Sequence, residues 1–296
     1  MNRFETIVER LGAWPARAGW VGLALVSGGC FSDALHDRSA AVRVVMFGVL
    51  SLGWTAALVA LLVPRDTALT ALRILVPAGL AAVLVATILG DDVGASDVAS
   101  VALATVATVT VMAPWVSEAW VDGSSYGVER RFPLRAPATL TFALVPLAWL
   151  AVVVGATAGP LLLASRQWVP GIGALVVGAV AVRAGVRSLH QLARRWVVLV
   201  PAGLVVHDPL TMPEPQLFLR RMITRLGPAF ADTAADDLTA GAPGLALQLD
   251  LNEPADLLVR NRGRRTATRS TTSLLFTPSR PKHLLDAARA RRIPVG

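Results

Sequence analysis

No charged side chain occurs anywhere from Ala136 to Ser165. A helix needs about 20 predominantly apolar residues to cross a bilayer core, where every backbone N–H and C=O must be satisfied within the chain. The stretch 136–164 meets that demand and is long enough to span with tilt. Three more runs meet it: 42–63, which ends at Pro64-Arg65-Asp66, then 69–90, and 98–117 (VASVALATVATVTVMAPWVS). A fifth, 168–189, starts at Trp168. The run 16–35 is weaker because it contains Gly28-Gly29 and Asp33; it fits a span or a helix in the interface, and a span is the reading preferred. The expected fold is therefore a membrane α-helical bundle of about six transmembrane helices over residues 1–195. A small β-rich domain follows over 196–296.

Composition agrees. Hydrophobic residues make up 54% of the chain and charged ones 16%, against about a quarter charged in soluble domains. The net charge of +8 comes almost wholly from arginine. In a membrane protein, basic loops facing anionic lipid explain it more simply than nucleic acid does, so no nucleic-acid partner is expected. The N-terminus (MNRFETIVERLGAWPARAGW) lacks a short apolar core followed by a small-residue cleavage site, and does not read as a signal peptide. Cys30 lies alone in an apolar run and reads as a structural thiol.

Six helices with both termini cytoplasmic place Arg3, Arg10, Arg17, Arg65, Arg73, Arg130, Arg131 and Arg135 inside. Outside lie Arg38, Arg43 and Arg166, with Asp91, Asp92 and Asp97 in the 90–97 turn. This is the positive-inside asymmetry, counted over short loops as the rule requires. Trp14, Trp20, Trp115, Trp120, Trp168 and Trp196 fall near helix ends, where an amphipathic ring suits the interface; Trp54 and Trp149 lie deeper and read as packing residues.

Within the spans no ionisable residue sits near a predicted centre, and Arg43, Arg73 and Arg183 are close enough to ends to snorkel. Thr105, Thr108 and Thr110 in the fourth helix are candidates for a polar path, the basis of an alternative reading as a transporter or channel component. Threonines in such helices more often bond to their own backbone. GATAG at 155–159, and Ala174, Gly178, Ala181 and Gly185 at helical spacing, favour close helix contact. They fit packing within the chain and a homo-oligomer equally.

Catalytic patterns are scarce. LGDDVG at 89–94 pairs carboxylates in a short turn, and DGSSYG at 122–127 lacks the strand–turn–helix context of a nucleophilic serine. His36, His190, His207 and His283 show no ligand spacing. No metal, cofactor or enzymatic activity is expected.

Arg183, Arg187, His190 and Arg194 recur at spacings of four, three and four, on one helix face. The sixth helix thus leaves the membrane with a basic stripe ending at Arg194-Arg195-Trp196. Beyond it the period changes. VVLV-PAG-LVVHD is a hairpin around a Pro-x-Gly turn. Residues 216–226 (QLFLRRMITRL) read as one strand, 229–240 as a loop or short helix, and GLALQLDL at 244–251 as an alternating strand with ADLLVRN as its hairpin partner. NRGRRTATRSTT at 261–272 reads as an arginine-rich loop, SLLFTP as a last strand, and RPKHLLDAARARRI as an amphipathic helix.

The segments RRWVVLVPAGLVVHDPL, LFLRRMITRLGP and SLLFTPSRPKHLLDAARARR resemble the pleckstrin-homology-like (PH-like) domains tethered to membrane helices in proteins of high-GC bacteria. The resemblance covers about residues 195–293 and rests on element order and character. It implies a non-enzymatic binding module for a protein partner or anionic lipid headgroups, and it carries over no functional residues. The basic residues themselves supply the candidate contacts: Arg183, Arg187, Arg194 and Arg195 in the stripe, and Arg262, Arg264, Arg265 and Arg269 in the loop.

Overall fold

A computed structural model describes residues 10–90, 92–260 and 266–296. Two compact units emerge, each built from two separate stretches of chain: 1–120 with 147–189, and 121–146 with 190–296.

The first unit is helical. Five helices are long and apolar enough to cross a membrane: α3 (Ala40–Leu62), α4 (Asp66–Leu89), α5 (Ala95–Met112), α7 (Leu140–Ala164) and α8 (Trp168–Ala193). The weak first run forms two shorter helices instead, α1 (Trp14–Val26) and α2 (Gly28–Ala34), separated at Ser27. The 13 residues of α1 alone rise about 20 Å, short of a bilayer core of about 30 Å, although Ser27 keeps right-handed helical dihedrals and accepts the Phe31 amide at 3.2 Å. The expected sixth span is thus not one long helix. It still packs inside the unit, because a side chain at Gly19 would lie 2.9 Å from the Leu103 carbonyl of α5.

Proline sets several boundaries. Ala113 is extended because it precedes Pro114, so α5 stops at Met112 rather than at 117 and the chain restarts as α6 (Pro114–Asp122). Pro146 has no N–H to offer, and α7 opens with a π turn (Leu140–Leu144) in which the Val145 amide bonds to the Leu140 carbonyl.

The tryptophans do more than mark interfaces. Trp20 and Trp54 each donate the indole N–H to the other's carbonyl, at 3.0 and 2.9 Å. Trp120 donates to Ala60 O at 2.9 Å, the carbonyl left without its i+4 amide by Pro64, and Arg17 caps Leu61 O at 3.1 Å. Trp149 donates to Ile74 O at 3.0 Å. Of the tryptophans expected near helix ends, Trp20, Trp120 and Trp196 are buried within the protein, and Trp14 and Trp168 are exposed.

The second unit holds two four-stranded sheets. The first has the order β1-β2-β3-β4, from Arg130–Pro133, Trp196–Val200, Gly203–His207 and Gln216–Leu219, all antiparallel. At the β2–β3 turn a Cβ on Gly203 would sit 2.0 Å from Phe218 O, so only glycine fits. The second sheet has the order β5-β7-β8-β6, from Ile223–Pro228, Leu247–Arg260, Thr266–Phe276 and Asp236–Asp237. Phe132, Leu199, Leu204 and Phe218 of one sheet and Leu226, Leu249, Leu274 and Phe276 of the other form one core. Helix α9 (Pro281–Ala290) adds Leu284 and Ala288 to it, as its apolar stripe requires.

Three expectations change. Residues 216–226 are not one strand: a 3-10 turn at Arg220–Met222 carries the chain from one sheet to the other. ADLLVRN does not turn back on 244–251 but continues β7, through a register shift between Asp250 and Ala255 where Pro254 has no N–H to donate. Part of the arginine-rich loop is strand, since β8 begins at Thr266. The β-module also reaches beyond 196–296. Strand β1, from the segment between α6 and α7, pairs with β2 throughout, Arg130 to Leu199 and Pro133 to Trp196. Two neighbouring strands are thus joined by α7 and α8 rather than by a turn.

Candidate lipid and partner interface

Helix α8 has 26 residues and is about 39 Å long, which exceeds a hydrocarbon core of about 30 Å. Arg183 and Arg187 lie about 22 and 28 Å from its start and are exposed, as is Arg194 just past its end. None of the three is ion-paired among the described residues. Val180 and Val186 in the same stretch of helix are exposed as well.

Arg195 does not belong to that stripe. Its side chain is 1% exposed, and so is that of Asp208. Nε donates to Asp208 Oδ1 and Nη2 to Asp208 Oδ2, both at 2.7 Å, and Nη1 donates to Arg135 O at 2.6 Å. Strand alternation explains the correction: Arg195, Val197 and Leu199 share the inward face of β2, and Leu204, Val206 and Asp208 share that of β3. Extending the period by one residue at each strand end would have found the pair.

Arg262, Arg264 and Arg265 lie outside the described residues. Arg269 is on β8, half exposed, and donates to Asp236 Oδ1 at 2.5 Å. It remains accessible but is partly neutralised.

The threonines of α5 do not converge. Thr108 and Thr110 donate to Ala104 O and Val106 O in their own helix, at 2.8 and 2.7 Å, and Thr105 is exposed. A shallow cleft of about 350 Å³ lies elsewhere, lined by Thr87, Val93, Asp97, Val98, Val101 and Ala102. Asp97 closes the helix start, its carboxylate accepting the Gly94 amide at 2.8 Å. Arg73 does not snorkel outwards: Nη2 donates to Ser117 Oγ at 2.7 Å, and Nε is buried without a partner. Sequence position alone could not reveal this, because Ser117 lies on another helix.

The glycine motifs are used within the chain. Gly155 and Gly178 meet so closely that a Cβ on Gly178 would lie 2.2 Å from Gly155 O. Gly159 packs on Leu175, Gly171 on Leu163, and Gly185 on Val152.

In the DGSSYG segment, Asp122 Oδ1 accepts the Ser125 hydroxyl at 3.0 Å and the Arg131 amide at 2.8 Å, which fixes the approach to β1. His207 stacks on Trp196 with ring centroids 5.0 Å apart, and its Nε2 is buried without a partner. Burial, and after it the nearby Arg194, hold its pKa below the ordinary imidazole value; Asp208 pulls the other way and Arg131 adds a lesser push downwards. Among the described residues, no group of three His, Cys, Asp or Glu side chains converges on a metal-sized site. No family model, curated protein or solved structure matches the chain.

Proposed function

We propose that this protein is a non-enzymatic platform of the bacterial inner membrane, whose helices hold a cytoplasmic PH-like module that binds a protein partner or anionic headgroups. The observation that carries the reading is the β1–β2 pairing across the α7–α8 hairpin. A module closed through two spanning helices is tethered at two points, so whatever it binds stays at the bilayer. Support for the PH-like assignment comes from a four-stranded antiparallel sheet, a second sheet packed on it, and a C-terminal helix that completes the core. Arg183, Arg187 and Arg194, exposed and not ion-paired among the described residues, supply the charge that anionic headgroups require.

The test uses the full chain in nanodiscs. Native mass spectrometry should show anionic phospholipid retained over zwitterionic lipid, with retention falling several-fold in the triple variant Arg183→Gln, Arg187→Gln, Arg194→Gln. A photo-crosslinking residue at Arg269 should yield a discrete adduct in native membranes if the module takes a protein partner. Loss of neither lipid nor adduct specificity in these variants would count against the platform.

A further inference from the structure

Phe230 and Leu245 of the β-module are large apolar side chains left 62% and 53% exposed. They are neighbours, flanking the Ala229 N to Ala246 O hydrogen bond (3.0 Å) that closes the base of the 229–246 loop. That loop is fastened to the chain segment leading into α7. Ala138 N donates to Gly241 O at 3.4 Å, and Arg135 Nη1 donates to Pro243 O at 3.4 Å. Only Thr139 separates Ala138 from Leu140, where α7 begins, and the first turns of that helix expose Phe142 and Leu144. The loop that carries the apolar pair is thus fastened two residues ahead of the start of α7.

We propose that Phe230 and Leu245 form an interfacial foot, inserted in the bilayer surface beside the start of α7, which fixes the tilt of the β-module. The proposal rests on α7 crossing the membrane. Charge placement fits it. Arg225 lies over the Phe230 ring, 4.2 Å from its centroid, and shares its charge with Asp250 at 3.4 Å, so the exposed Arg135 at the loop's other side is the cation offered to headgroup phosphates. Asp236 is held by Arg269, and Asp237 accepts the Thr239 amide at 2.7 Å. Asp232 is exposed in the same loop and sets the depth. A carboxylate is costly in hydrocarbon, so the ring and the leucine reach the acyl boundary while the loop backbone stays among the headgroups.

The test places an environment-sensitive fluorophore on single cysteines in the full chain, with Cys30→Ala, reconstituted in phosphatidylglycerol–phosphatidylcholine vesicles. Labels at Phe230→Cys and Leu245→Cys should emit blue-shifted and be quenched more by lipid spin-labelled near the headgroup than at mid-chain. A label at Ala202→Cys, in the β2–β3 turn, should emit as in water. A label at Val176→Cys in α8 should be quenched most by the mid-chain lipid. Water-like emission at 230 and 245, with Val176 quenched, would overturn the foot and leave the spanning helices intact. A blue shift without lipid quenching would overturn it in favour of a protein covering the patch. An unquenched Val176 would overturn the spanning reading as well.

Discussion

Arg195 and Asp208 form a two-pronged ion pair inside the β-module, both oxygens engaged at 2.7 Å and both side chains 1% exposed. Losing one partner strands the other charge in the core, a cost of about 3–5 kcal/mol, whereas an apolar pair of similar volume removes the desolvation penalty altogether. Arg195→Met or Asp208→Leu alone should therefore collapse hydrogen-exchange protection of the 196–207 amides. The double variant should recover much of it. A double variant as exposed as either single one would show that the pair contributes through something other than its charge.

The helical hairpin depends on Gly178. Valine there places Cβ against Gly155 O at 2.2 Å, backbone against side chain with no rotamer to relieve it. Overpacking of this kind costs about 1–3 kcal/mol or more. Gly178→Val should lower the melting temperature in detergent by several degrees, while Gly173→Ala, which meets nothing within 4 Å, should leave it unchanged.

Trp120→Phe keeps most of the apolar bulk but strands Ala60 O, whose own amide partner Pro64 cannot supply. An unsatisfied buried carbonyl costs about 1–3 kcal/mol. The variant should melt earlier than Trp14→Phe, in which an exposed ring is changed.

His207 gives the module a pH dependence. Its pKa lies below the ordinary value of about 6.5, so on acidification the unfolded chain takes up the proton first. Stability is unaffected by this group above neutrality, falls as pH drops through about 6.5, and levels off below the folded pKa. Denaturant midpoints measured from pH 8 to 5 should decline for the wild type and flatten in His207→Gln. The same decline in both would assign it to other groups.

The sequence showed plainly what depends on local period: four long apolar runs and α8, the 196–207 hairpin, and the stripe of α9. It misled where the decisive partner is distant. Ser27 and Gly28-Gly29 divide the first run, yet only the close approach of Gly19 to α5 reveals that its longer half still belongs to the bundle. Arg195 read as part of a basic anchor because its acid partner is in the next strand. The first part of β8 read as a loop because Thr266, Thr268 and Thr271 are polar, although β-branched side chains favour strands. β1 was hidden because its partner strand begins only after two intervening helices. Of the candidate contacts, Arg183, Arg187 and Arg194 sit on an exposed surface, Arg269 shares its charge with Asp236, and Arg195 is interior.

The central claim is that β1 and β2 meet on one side of a membrane that the chain crosses twice between them. Sided thiol labelling tests it directly in oriented membranes, on a Cys30→Ala background, with single cysteines at Tyr126, Gln167 and Ala202, all exposed. Tyr126→Cys and Ala202→Cys should react only from the cytoplasmic side, and Gln167→Cys, between α7 and α8, only from the outside. Labelling of Tyr126 and Ala202 from opposite faces, or of Gln167 from the same face as both, would contradict it.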